Sequence, residues 1–244
     1  MRHKMREYNK EEYREKMVQV YGEFVVRDFE KFEYRKKSKF PETYDSFKER
    51  MRRYVFRIGV PDQKNKGEKL VKKVSNFNTH SRFARFVLIS IEKYYGKTKI
   101  NLAKIESKSE NKVVYKWETE HILPQADKNK VDVYYIRNLG NLTLISRGLN
   151  GYENYKNAEY KCKRKYFFEE ICEKELLKEE LPEKDFYLNK FFVEKEIFDV
   201  ATVEERYKQL KREFKNIFID STNAEFTLSR FEEIIGVHEM DKGE

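Results

Sequence analysis

The chain's 244 residues are enough for one good hydrophobic core with a smaller helical annex, and no uncharged run approaches the length of a membrane span. Charged residues make up 39% and mean hydropathy is −0.92, values that alone suggest disorder, but 17 Tyr, 19 Phe and one Trp are far too many for a disordered solvating chain. The 52 Lys+Arg against 43 Asp+Glu leave +9 and a pI near 9.2, which favours an anionic partner, nucleic acid being the usual one.

The chain starts MRHKMREYNKEEYREK, without the apolar run of a secretory signal, so a cytoplasmic protein is expected. With only nine glycines and four prolines, long helices are the natural use of this composition. Residues 10–33 carry Met17, Tyr21, Phe24, Val25, Phe29 and Phe32 at three- and four-residue spacings, which predicts one amphipathic helix. A second is expected over 43–58, with Phe47, Met51, Tyr54, Val55 and Ile58 on one side. The polar stretch 61–73 reads as a connection or a fraying helix end. Ser81 is the expected N-cap of a helix over RFARFVLISIEKYY, which Gly96 would close. The YYGKT that ends it is no phosphate loop, because position 91, where the motif needs its first glycine, is Ile91.

From residue 99 the pattern alternates. A polar turn at 106–111 and a strand or hairpin near 112–122 are expected, ending in Glu120 and His121. A short buried strand follows, starting at Asn141 in GNLTLI, and then a helix opening near Asn150. The tract AEYKCKRKYFFEEICEKELLKEEL continues helical, with Tyr160, Tyr166, Phe167, Ile171, Leu176 and Leu177 inward and a break at Pro182. Its Cys162 and Cys172 form no C-x-x-C knuckle, which argues against structural zinc, and they read as buried thiols. Two more helices are expected near 202–217 and 223–236. The whole is a mainly α protein with a small β element.

Strand, strand and helix thus carry Glu120–His121, Asn141 and Asn150 at their junctions. Phosphodiester hydrolysis needs a base for the attacking water, and imidazole, with an ordinary pKa near 6.5, suits neutral pH. The departing 3′ oxygen gains charge that a divalent cation can hold. Mg²⁺ takes hard oxygen ligands and keeps several waters, so the carboxylate of Glu120 and the amide of Asn150 would suffice. Each feature alone has a bland reading: a polar strand end, a core strand, a turn asparagine before Gly151. His3, His80 and His238 lack suitable neighbours, and His80 reads as a capping or surface residue.

The segments EHILPQ, RNLGNLTLISRGLN and YKNAEYKCKRKYF closely resemble the HNH (ββα-metal) nuclease domain at the C-terminus of GmrSD-type, type IV modification-dependent restriction proteins. The first is also similar to the Asp-His-Ile-x-Pro-Gln segment of CRISPR effector HNH domains. The resemblance covers about 85–175 and implies an HNH core over 81–180, between helical regions at 1–80 and 181–244. It implies His121 as general base, Glu120 and Asn150 as ligands of Mg²⁺ (or Mn²⁺), and Asn141 as the residue that ties the intervening loop so that His121 is aimed. Pro124 and Gln125 would anchor the chain leaving the first strand. Lys161 or Lys163 would contact a phosphate, and Arg164 and Lys165 complete a basic run that could clamp a DNA backbone, while Tyr160 and Tyr166 are read as packing. KFEYRKKSKF (31–40) is a second candidate DNA surface, though it is read first as a solvated helix end.

The implied activity is a metal-dependent DNA endonuclease or nickase of bacterial defence against foreign or modified phage DNA. The alternatives are a catalytically inactive nucleic-acid-binding or docking module, and an RNase of the same fold. Full-length relatives carry a nucleotide-hydrolysing domain of ParB-like fold with no counterpart in this sequence, so the chain is a fragment, a stand-alone member, or the partner of a separate subunit. One ββα site cuts one strand per event, and double-strand cleavage would require a homodimer or a second encounter.

Overall fold

The computed structural model describes residues 10–31, 77–109, 112–125, 131–152, 155, 158–168, 185–218 and 234. The expected helix over 10–33 is two helices, α1 (Lys10–Tyr21) and α2 (Glu23–Lys31). Gly22 between them has φ +87°, a left-handed conformation that apolar periodicity cannot reveal and that side-chain-bearing residues rarely adopt. Met17, Tyr21 and Val25 are buried as their spacing predicts, with Val26 beside them, while Phe24 is half-buried.

Helix α3 (Phe77–Tyr95) begins before Ser81, which therefore sits inside the helix and is not its cap; His80 lies in its first turns. It does end at Gly96, whose amide donates to the Glu92 carbonyl at 3.0 Å, but the left-handed residue beyond the end is Lys97, with φ 49°. The helix expected over 43–58, the connection at 61–73, the basic stretch beyond Lys31, Pro182 and Cys172 all lie outside the described residues.

The β element is two small sheets. Strand β1 (Ile105–Ser109) pairs antiparallel with β2 (Lys112–Tyr115), so most of the stretch expected as a polar turn is itself a strand. Polarity misled there because the outer face of a two-stranded ribbon is as wet as a turn. The chain then bends at Lys116, which splits the predicted 112–122 strand: β3 (Trp117–His121) leaves the first sheet and pairs antiparallel with β4 (Leu142–Ser146). Between β3 and β4 run a helical turn, α4 (Val133–Ile136), and a 3-10 turn at Leu139–Asn141. After β4 come α5 (Arg147–Gly151), α6 (Tyr160–Phe168), α7 (Tyr187–Val193) and α8 (Val200–Phe218). Helix α7 is not foreseen in the sequence. The expected helix near 202–217 is α8; of 223–236 only Ile234 is described, buried and helical.

Every residue of β4 is buried, because both faces of its sheet are covered. Leu142 and Leu144 join a core with Trp117 and residues of α1, α2, α3, α7 and α8. Ile145 points the other way, into a second cluster with Ile122, Leu149, Tyr155, Tyr160 and Phe192. A lone two-stranded pair is marginal in water, and here helices on both faces supply what it lacks. The core thus draws on the N-terminal, central and C-terminal thirds of the chain.

Candidate active site

Strand alternation sorts the site. Glu118 and Glu120 leave β3 on the face covered by α5 and α6, opposite Ile145 and Thr143 of β4. His121, the last residue of β3 and paired with Leu142, leaves on the other face. The chain is held there by Asn141, fully buried, which acts as a three-pronged tie. Its Oδ1 accepts from the Leu123 amide at 2.7 Å, and its Nδ2 donates to the carbonyls of Leu123 at 3.1 Å and Ile136 at 2.8 Å. Its backbone carbonyl accepts from the Ile122 amide at 2.9 Å. Both ends of the loop that separates β3 from β4 are thereby sewn together immediately behind His121.

His121 is buried, with the exposed Gln125 laid against it: the amide nitrogen lies 3.3 Å from Nδ1 and 3.4 Å from Nε2. Burial, reinforced by the positive charges of Lys163 and Arg137, holds its pKa down at about 4, so the ring is neutral at neutral pH. Pro124, before Gln125, is buried as the chain turns away.

Glu120 is buried as well. Its Oε1 receives Lys163 Nζ at 2.5 Å, and the same ammonium donates to the His121 carbonyl at 2.7 Å. Burial pushes the Glu120 carboxyl above the ordinary range; Lys163 pulls it back, and Glu118 adds to the push. Asn150, half-buried and near the end of α5, does not pair with Glu120 but donates from Nδ2 to Glu118 Oε2 at 2.7 Å. The helix opens at Ser146, whose hydroxyl accepts from the Leu149 amide, four residues before the sequence places its start. Glu118 also faces Arg147, with Nε 4.0 Å away. The oxygens on this face, two carboxylates and one amide, are the hard donors a Mg²⁺-type cation takes, and the raised Glu120 carboxyl is a charge such a cation would relieve. Among the described residues no group of three or more His, Cys, Asp or Glu forms a metal cage.

The basic run on α6 divides by burial. Lys161 and Lys165 are exposed and Arg164 is partly so, its Nε donating to the Phe192 carbonyl at 3.2 Å. Lys163 is fully buried and ion-paired with Glu120, so of the two lysines expected at a phosphate only Lys161 is exposed. Cys162, expected to be a buried thiol, is exposed, because α6 turns that side to water. Tyr160 and Tyr166 pack, as read: the Tyr160 hydroxyl donates to Lys195 and Phe192 carbonyls, and the Tyr166 ring meets those of Tyr152 and Tyr155 edge-on.

A family model described as GmrSD restriction endonucleases, C-terminal domain, matches residues 30–213. The chain belongs to that family. It is a nuclease of restriction systems, and DNA is its substrate. No curated protein and no solved structure matches it. No helix among the described residues is long and apolar enough to cross a membrane. At this candidate site of the GmrSD-type domain, the residues that sequence reasoning missed are Glu118 and the buried Arg206. Glu118 was detectable, because WETEH places two carboxylates at i and i+2 on one strand face. Arg206 had no such signal; it donates to the carbonyls of Gly140, Leu142 and Leu188 from α8 and so fixes the turn that carries Asn141.

Proposed function

We propose that this GmrSD-type domain is a metal-dependent nuclease of the HNH kind, which nicks DNA one strand at a time in defence against foreign or modified phage DNA. The observation that carries the reading is the strand end: a neutral imidazole and a buried carboxylate on adjacent residues, with Asn141 tying the chain behind them. Glu120 and Asn150, with Glu118 beside them, would hold Mg²⁺ or Mn²⁺. When bound, the ion would polarise the scissile phosphate and offset the charge on the departing 3′ oxygen. His121 accepts the proton of the attacking water on its neutral imidazole ring. Because His121 and Glu120 leave opposite faces of β3, a phosphate lying across the strand end is the position that reaches both. Lys161 and Lys165 carry the flanking backbone, with Arg164 beside them. A homodimer or a second encounter would turn nicks into double-strand breaks, and a separate ParB-like subunit would add nucleotide dependence.

The test is supercoiled plasmid incubated with Mg²⁺ or Mn²⁺, with wild type beside His121→Ala, and a parallel arm on single-stranded RNA. Metal-dependent nicking of DNA by the wild type and its loss in the variant are expected. Equal cleavage by both proteins would remove His121 from the mechanism, and preferential cleavage of RNA would change the substrate.

A further inference from the structure

Lys163 is a fully buried lysine whose ammonium reaches two adjacent residues of another element: the Glu120 carboxylate at 2.5 Å and the His121 carbonyl at 2.7 Å. Beneath it lies the Tyr155 ring, 5.1 Å from Nζ, so its own position is fixed from below. Burying a lysine is costly without such partners, and a surface role would leave the head group in water. Lys161 and Lys165, two residues either way on the same helix, do stay in water.

We propose that Lys163 is a positioning residue that sets the Glu120–His121 strand end from α6. Its charge aims the Glu120 carboxylate and its hydrogen bond holds the His121 peptide; it touches no DNA. The proposal rests on the HNH reading of Glu120 and His121. It has a second consequence. A fixed cation against a metal-binding carboxylate repels a divalent ion, so Lys163 also weakens metal binding to the DNA-free protein.

The experiment measures Mn²⁺ affinity of the DNA-free full chain by calorimetry, and kcat and KM for plasmid nicking. It compares wild type, Lys163→Met, Lys163→Arg and His121→Ala. For Lys163→Met the expected result is Mn²⁺ bound about tenfold tighter, kcat down about a hundredfold, and KM for DNA unchanged. A residue that merely stabilises the fold would weaken metal binding and activity together, and that outcome overturns the proposal. A raised KM at unchanged kcat and Mn²⁺ affinity also overturns it, because it marks a phosphate contact. Should the Met variant not fold, Lys163→Arg decides: with charge kept and geometry altered, Mn²⁺ affinity stays at the wild-type level while kcat falls, and wild-type kcat overturns the proposal. Unimpaired nicking by His121→Ala sinks the underlying reading, whereas its failure beside a fully active Lys163→Met sinks this proposal alone.

Discussion

Two asparagines with similar sequence settings, Asn141 and Asn150, sit in opposite surroundings. Asn141 is wholly buried and satisfies three backbone groups at the loop's two ends. Truncating it strands an amide and two carbonyls in the interior, so Asn141→Ala is expected to cost about 2–4 kcal/mol in urea unfolding. Asn150 is half-buried and makes one side-chain bond to Glu118, so Asn150→Ala should cost under about 1 kcal/mol while nicking falls by orders of magnitude. Similar losses of stability in both variants would show that Asn150 is scaffolding. His121 yields a pH prediction. Its pKa of about 4 in the folded protein, against an ordinary 6.5, leaves it deprotonated, so the acid limb of kcat/KM should fall near pH 4–5 and not at 6.5. The stability sign follows from the same shift: between pH 6.5 and 4 the unfolded chain takes up the proton first, so this histidine weakens the fold as pH drops through that window. Glu120, raised in the fold, works the other way, and comparing acid unfolding of wild type with His121→Asn isolates the histidine. The pairing of Glu120 with His121 was legible because the two are neighbours in the chain. Lys163 was not, because a KCKRK run is usually a solvated face and only the placement of α6 over β3 buries its middle lysine.

At the level of elements, the strands and helices that carry a strong apolar period were legible, and those shaped by single contacts were not. Leu142, Leu144 and Ile145 announce a buried strand. The break at Gly22 and the bend at Lys116 depend on backbone conformation and on hydrogen bonds to distant chain: the Lys116 amide donates to Lys104, and its carbonyl accepts from Arg147. Gly140 shows how close an element can be forced to another. It lies in the 3-10 turn before β4 and abuts α8, where a Cβ would collide with the Val203 carbonyl oxygen and sit 2.8 Å from the Tyr207 backbone nitrogen. Both neighbours are backbone and cannot rotate away. Gly140→Ala should therefore either shift α8 or detach the turn, at a cost of about 3 kcal/mol or more, and take nicking with it because Asn141 is the next residue. Wild-type stability in this variant would show that the turn has slack.

Across the whole molecule, the β3–β4 pair is clamped at both ends by buried arginines that bond backbone carbonyls. Arg85 of α3 donates to Trp117 and Leu102, and Arg206 of α8 to Gly140 and Leu142. Burial lowers their pKa values to about 10 and about 9, yet both stay cationic at neutral pH. Among the described residues these two cations and Lys163 are matched in number by the buried carboxyl groups of Glu92, Glu120 and Glu213, so burial alone does not reduce the formal +9. What remains outward near the site includes Lys161 and Lys165 on α6 and Arg147 on α5. Their contribution to DNA binding is then readable from salt: neutralising one phosphate fewer makes log K against log salt shallower by about 0.9 on duplex DNA. Lys161→Gln with Lys165→Gln should flatten the slope by about 1.8. Affinity should weaken alike for unrelated sequences, since phosphate contacts carry no base information. Lys163→Met, acting on a buried group, should leave the slope where it is. An unchanged slope in the double variant would move the DNA path off α6.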